Sequence, residues 1–244
     1  HFRLVFDLYQ HVATADVDFV GQREGDRLVD IGFFKVAVEG YHLFHRAGAP
    51  GGQRHDFLAR VAGGIAYRAV RNRGTLGGSI ANADPAADWV ACFSALGAEI
   101  LISNTNGQRR VGIDDFLVGA METTLGPGEL IDGIRIARLG ASARCGYAKI
   151  SRKPGEFADA IAAIVHDPDH GRCRAVVGGT DGLPLLLDSD ALGLARTAAL
   201  PAVLETDLIR DHLAGYMPSP DIYRRNIQCA VVQRALADAH AFSP

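Results

Sequence analysis

Apolar residues recur along this chain at two periods, and the switch between them marks the elements. From Asp56 to Ala69 the positions Phe57, Leu58, Val61, Ile65 and Ala69 return every three or four residues, which predicts a helix with one buried face. A second helix is predicted from Asp84 or Pro85 through Leu96, since proline is tolerated in a first turn. Its buried side would hold Trp89, Val90, Cys92, Phe93 and Leu96, and Gly97 closes it. The period then shortens. Residues 98–102 read as a strand, Asn104-Thr105-Asn106-Gly107 as a type I′ hairpin turn, and 108–112 as the returning strand. Residues 113–117 begin a short helix, and 130–136 alternate like a half-buried strand. Before residue 55 the pattern is poorer, with short strands at 17–20 and 28–31 and a loop at 46–53.

The small, flexible run Gly140-Ala141-Ser142-Ala143 divides the chain, predicting one domain over residues 1–140 and another over 145–244. The second begins with the strand-like Tyr147-Ala148-Lys149-Ile150 and continues in strands at 160–165 and 172–178. The segment His166-Asp167-Pro168-Asp169-His170 between them holds metal-ligand residue types, but its central proline favours an exposed hairpin loop. Residues 183–187 suit only an edge strand or a strand start because of Pro184. Helical patterns follow at 191–197, 202–214 and 222–239. Strands followed by helices predict an α+β fold.

Composition adds little but excludes several classes. With 244 residues, 48% of them hydrophobic and 22% charged, the chain has the balance of an ordinary globular protein. A net charge of −3 offers no electrostatic case for nucleic-acid binding. The four cysteines, at 92, 145, 173 and 229, form no C-x-x-C pair. That argues against an iron–sulfur cluster, a zinc site or a disulfide framework on this chain. The same cysteine pattern fits a reducing cytoplasm best, and a cytoplasmic location is expected. No apolar run reaches the ~18 residues of a membrane span, and no charged-then-apolar segment opens the sequence.

Candidate chemistry concentrates in one segment, Arg71-Asn72-Arg73-Gly74-Thr75-Leu76-Gly77-Gly78-Ser79-Ile80-Ala81-Asn82-Ala83-Asp84-Pro85-Ala86-Ala87-Asp88. Glycines at 74, 77 and 78 could take positive φ and let a ligand approach the backbone. Successive N–H groups in such a turn form a concave anion site. Thr75 and Ser79 add hydroxyls suited to a phosphate or pyrophosphate, while Asp84 and Asp88 could accept hydrogen bonds from sugar hydroxyls. A P-loop lysine and a G-x-S-x-G context are both missing, so neither nucleotide hydrolysis nor a serine nucleophile is indicated.

This string resembles the FAD-binding medium subunit of the molybdenum hydroxylases, the xanthine dehydrogenase and carbon monoxide dehydrogenase group. Those subunits carry R-N-R-G-T-x-G-G-S/N-x-A-x-A-D-P-A-x-D, and every fixed position is filled here. The resemblance extends to Tyr147-Ala148-Lys149-Ile150-Ser151-Arg152-Lys153, to Cys173-Arg174-Ala175-Val176-Val177-Gly178-Gly179, and to Tyr223-Arg224-Arg225 opening the last helix. It covers roughly residues 56–240 and implies a two-lobed FAD domain followed by a sheet-and-helix C-terminal domain. By resemblance, Thr75, Gly77, Gly78 and Ser79 form one of two pyrophosphate loops. Asn82 and Asp88 face ribityl or ribose hydroxyls, and Lys149 lies near the isoalloxazine edge. Each has a structural alternative: Asp88 complementing a helix N-terminus, Asn82 bonding its own backbone, Lys149 solvated on a strand.

The resemblance further implies an oxidoreductase complex in which this chain is not catalytic alone and holds no metal. Molybdopterin would sit on a large partner and 2Fe-2S clusters on a small one, the whole a dimer of heterotrimers. Electrons would pass through FAD here to an external acceptor. One part of the pattern departs. The relatives' first loop, of the A-G-G-x-S/T-x-L kind, stands about eighty residues before the second, and nothing of that form stands there in this sequence. Residues 1–55 therefore read as a divergent or truncated first lobe. A second reading stays open beside the flavin subunit: a cofactor-free structural subunit of the same kind of complex.

Overall fold

The computed structural model describes residues 28–32, 52–71, 73–194, 199–216 and 221–241. The predicted strand at 17–20 and most of the predicted loop at 46–53 lie outside them. Strand β1 (Leu28–Gly32) is followed by helices α1 (Gly52–Gly64), α2 (Arg68–Arg71), α3 (Leu76–Asn82) and α4 (Asp88–Leu96). Then come β2 (Glu99–Asn104), β3 (Gly107–Gly112), α5 (Ile113–Phe116), β4 (Leu117–Gly119), β5 (Glu122–Thr123) and β6 (Leu130–Ala137). The last part comprises β7 (Arg144–Ile150), β8 (Ala160–Asp167), β9 (Arg172–Gly178), β10 (Leu185–Leu187), α6 (Thr206–Tyr216) and α7 (Ile222–Ala241). The fold class is α+β.

Two antiparallel four-stranded sheets carry it, ordered β1-β6-β2-β3 and β10-β9-β8-β7. The registers are continuous through most of each pair, for example Ile100 opposite Val111 on one side and Ile134 on the other. Strand β8 is buried along its whole length because both faces of its sheet are covered. Alternate residues face opposite ways on a strand. Ile161, Ala163 and Val165 therefore join the core that also contains Phe93, Ile100 and Ile134. Ala160, Ala162 and Ile164 join a second core with Leu213, Val232 and Leu236.

Helix α4 lies between the two sheets, and this corrects the expected one-sided helix: all nine of its residues are buried. A helix apolar all round belongs in an interior, and Trp89-Val90-Ala91-Cys92-Phe93 leaves no polar stripe. Helix α7 covers the other face of the second sheet, coming so close to β7 that a Cβ on Gly146 would lie 1.9 Å from the Ala235 carbonyl oxygen. Only glycine fits there.

Several local expectations are corrected. The predicted helix over 56–69 is two helices, broken where Ala66 takes φ 42°. The Arg71 guanidinium donates to the Ile65 and Ala66 carbonyls at 2.7 and 2.9 Å, satisfying the break between α1 and α2. The β2–β3 turn is not type I′, because that type needs positive φ at both central residues. Here Asn104 pairs with Gly107, and neither Thr105 nor Asn106 has positive φ; the Asn104 side chain accepts from Asn106 N–H instead. The 166–170 loop is not wholly exposed, since β8 runs on to Asp167 and buries both His166 and Asp167. The helix expected at 202–214 starts only at Thr206. Of that expected at 191–197, residues 191–194 are turn and the rest lie outside the described residues.

Candidate flavin site

The glycine segment folds as a helix start rather than a nest of left-handed residues. None of Gly74, Gly77 and Gly78 has positive φ, which corrects the sequence expectation. Thr75 is the N-cap of α3, extended at φ −125° and ψ 153°, and its Oγ1 accepts from Gly78 N–H at 2.9 Å. The hydroxyl proton of Thr75 stays available to a ligand, since a hydroxyl donates once and accepts twice. The first N–H groups of any helix lack intrahelical acceptors, so Leu76 and Gly77 present theirs at the same end. Gly77 is buried, while Gly78 and Ser79 are half-buried.

Helix α3 stops at Ala83, a left-handed cap at φ 49° whose N–H reaches the Ser79 and Ile80 carbonyls. The Ala83 carbonyl accepts from Met121 N–H at 3.0 Å. Met121, exposed and itself at φ 59°, tips the β4–β5 hairpin. Asn82 is exposed at this end and its amide lies 3.5 Å from the Met121 sulfur. Asp84 serves the turn itself, accepting from Ala86 N–H at 2.9 Å. The Pro85 carbonyl accepts from Gly179 N–H at 2.7 Å. A Cβ on Gly178 would stand 3.0 Å from that carbonyl oxygen and 2.4 Å from Ile161, and Gly179 has φ 71°. The Gly-Gly pair in the second sheet thus exists to receive the Pro85 turn. Arg224 closes the same junction, donating to both Asp181 oxygens at 2.7 and 2.8 Å and to the Gly179 carbonyl at 3.0 Å.

Asp88 and Lys149, sixty-one residues apart, meet at 2.8 Å. Asp88 begins α4, where a negative charge complements the helix dipole. Lys149 stands on β7, and its ammonium also donates to the Gly64 carbonyl at 3.0 Å. Two residues earlier on the same strand, Tyr147 donates its phenolic proton to the oxygen of Asp88 that Lys149 holds. The side chains of Asp88 and Lys149 are 10% and 15% exposed, so the pair is shielded but not sealed. Burial, then the nearby Asp88 charge, pushes the Tyr147 phenol well up, so it stays protonated and keeps its proton to donate. The same causes raise Cys92, the buried thiol one turn along α4. The cluster joins the end of α1, the start of α4 and strand β7.

The structure therefore brings Asp88 and Lys149 together and places Thr75, Gly77, Gly78 and Ser79 on one helix start, with Asn82 at that helix's other end. Sequence reasoning missed Tyr147 as a member of the cluster. Its signal was the i, i+2 spacing from Lys149, which puts both on one face of a strand. Among the described residues there is no group of three or more His, Cys, Asp or Glu arranged to hold a metal.

Residues 43–138 match the family described as the FAD binding domain in molybdopterin dehydrogenase. The chain is 33% identical over 184 residues to the carbon monoxide dehydrogenase medium chain of Afipia carboxidovorans, covering 72% of this chain and 64% of that one. It is 29% identical over 204 residues to the 6-hydroxypseudooxynicotine dehydrogenase complex subunit alpha of Paenarthrobacter nicotinovorans, covering 77% and 66%. The matched stretch thus spans slightly under two thirds of either relative's own length. A carbon monoxide dehydrogenase structure from Hydrogenophaga pseudoflava superposes with a TM-score of 0.70 at 29% identity, covering 91% of this chain and 78% of that one.

Proposed function

We propose that this chain, which belongs to the FAD-binding family of the molybdopterin dehydrogenases, is the flavin subunit of a multi-subunit molybdenum hydroxylase. It passes electrons from iron–sulfur clusters on a partner chain through FAD to an external acceptor. The partners are a large molybdopterin subunit and a small iron–sulfur subunit, arranged as a dimer of heterotrimers. Residues 1–140 form the flavin-binding domain and 145–244 the C-terminal domain. That division is supported by the family match ending at residue 138 and by the change of sheet between β6 and β7.

The donor set fits the cofactor. The observation that carries the reading is a helix start rich in N–H and hydroxyl donors, together with a shielded carboxylate on the next helix. Thr75 and Ser79 hold the pyrophosphate by their hydroxyls and Gly77 by its backbone N–H, while Gly78, whose own N–H is taken by Thr75 Oγ1, contributes by lacking a side chain. The missing side chains of the two glycines let the anion approach. Asn82 and Asp88 meet polyol hydroxyls. Lys149 contributes less positive charge than a lone lysine would, because Asp88 balances it at 2.8 Å. FAD, when bound, supplies the electron-accepting chemistry; the chain places it and excludes water.

The test is the absorbance spectrum of the purified complex, with acid-released flavin counted per copy of this chain. About one FAD per chain is expected. An intact complex with no flavin overturns the proposal and leaves a cofactor-free structural subunit in its place.

A further inference from the structure

The two oxygens of Asp88 have different surroundings. Oδ1 takes both the Tyr147 hydroxyl and the Lys149 ammonium. Among the described residues Oδ2 takes no donor, although the side chain is nine-tenths buried. Oδ2 is not sealed in the interior, so a ligand hydroxyl can reach it. Lys149 is anchored on its other side by the Gly64 carbonyl at 3.0 Å. Tyr147 is held by more than its ring: its backbone N–H donates to Asp238 at 2.8 Å, and Asp238 is itself gripped by Arg60 at 2.7 Å. Gly64, whose carbonyl takes the Lys149 ammonium, is exposed, as is Gly63. Strand geometry and a second ion pair thus fix which oxygen of Asp88 is used up and which is offered.

We infer that Tyr147 is a positioning residue of this site. With Lys149 it immobilises Oδ1 of Asp88, so that Oδ2 accepts one hydroxyl of the cofactor's polyol, on the ribityl chain or the adenosine ribose. The inference rests on the flavin-subunit reading above and assigns Tyr147 a part in it. No bond is made or broken.

The experiment titrates the flavin-depleted complex, wild type and Tyr147→Phe, with FAD and with FAD analogues each lacking a single hydroxyl of the ribityl chain or the adenosine ribose. Wild type is expected to bind one analogue about tenfold more weakly than FAD, the scale of one hydrogen bond to a charged group. Tyr147→Phe is expected to lose that discrimination while binding the same analogue as wild type does. The analogue singled out tells which polyol Asp88 meets. Should Tyr147→Phe fail to assemble, Asp88→Asn in the same series decides, and it too must lose the discrimination. A variant that weakens FAD and every analogue alike shows Tyr147 to be structural only and overturns the inference. So does a wild type that binds FAD but discriminates no hydroxyl. A wild type that binds no flavin at all sinks the flavin reading itself.

Discussion

Charged side chains at single positions do much of the joining here, and Asp238 shows how. It stands on α7, accepts two hydrogen bonds from Arg60 on α1 at 2.7 and 2.8 Å, and takes the N–H of Tyr147 on β7. Arg60 also reaches the Cys145 carbonyl at 3.3 Å. One carboxylate thus fixes three elements, and its loss leaves a shielded guanidinium and a backbone N–H short of an acceptor. Asp238→Ala is expected to cost about 1–3 kcal/mol, read as a lower urea midpoint with an unchanged slope. Because Tyr147 is one of the groups released, the same variant should also weaken flavin retention. At this scale the sequence was half legible. Asp88 and Lys149 stood out by motif, but their pairing did not, because sixty-one residues of chain separate them and only the packing of α4 on β7 closes the gap.

At the scale of elements, close approach and turn chemistry decide what a strand or helix can be. Gly146 lets α7 lie against β7, where an added Cβ would also stand 2.8 Å from the Ala239 nitrogen. The clash is with backbone, so rotamer changes cannot relieve it. Gly146→Ala is expected to destabilise by at least the ~1–3 kcal/mol typical of overpacking, measurable in the same urea titration. In the first sheet, Arg109 on β3 forks onto Glu129 just before β6, at 2.8 and 2.7 Å, and Gly126 N–H adds a third bond at 2.8 Å. The Arg109 hydrogen bond foremost, then that of Gly126, holds the Glu129 carboxyl down at about 2. A carboxyl depressed on folding stabilises the native state above its unfolded pKa of about 4.3. That contribution fades as pH falls from there towards 2. Glu129→Gln is therefore expected to flatten stability against pH between about 4.5 and 2, while changing its slope little above pH 6. Chemical denaturation across that range checks it. Helices and strands of regular period were legible in the sequence. The hairpin turn was not, because the ladder placed Thr105 and Asn106, not Asn106 and Gly107, at the centre.

Taken as a whole, the molecule is built around a helix shared by two sheets. Helix α4 puts residues into the core of the first sheet and packs on β8 and β9 of the second. The chain's single tryptophan, Trp89, stacks on Phe93 with ring centroids 5.5 Å apart inside that shared core. Phe93→Ala is expected to cost about 3–5 kcal/mol. Tryptophan fluorescence and far-ultraviolet circular dichroism should lose their signals together, in one transition, because neither sheet keeps its covered face alone. Two separated transitions would show that the sheets unfold independently. Among the described residues no helix is long and apolar enough to cross a membrane.

The sequence by itself determined the α+β class, the order of most elements and the segment where the candidate chemistry concentrates. Those are local properties, written in hydrophobic period and in a contiguous run of glycines, hydroxyls and carboxylates. Only the structure showed that Gly77 and Gly78 are helical, and only its tertiary packing decided that α4 is buried all round and that Tyr147, Asp88 and Lys149 form one cluster. Gly77 and Gly78 are helical through a local bond, the Thr75 cap on the Gly78 N–H. The other two depend on what a distant element does: cover a face, or bring a phenol and an ammonium to the same carboxylate oxygen.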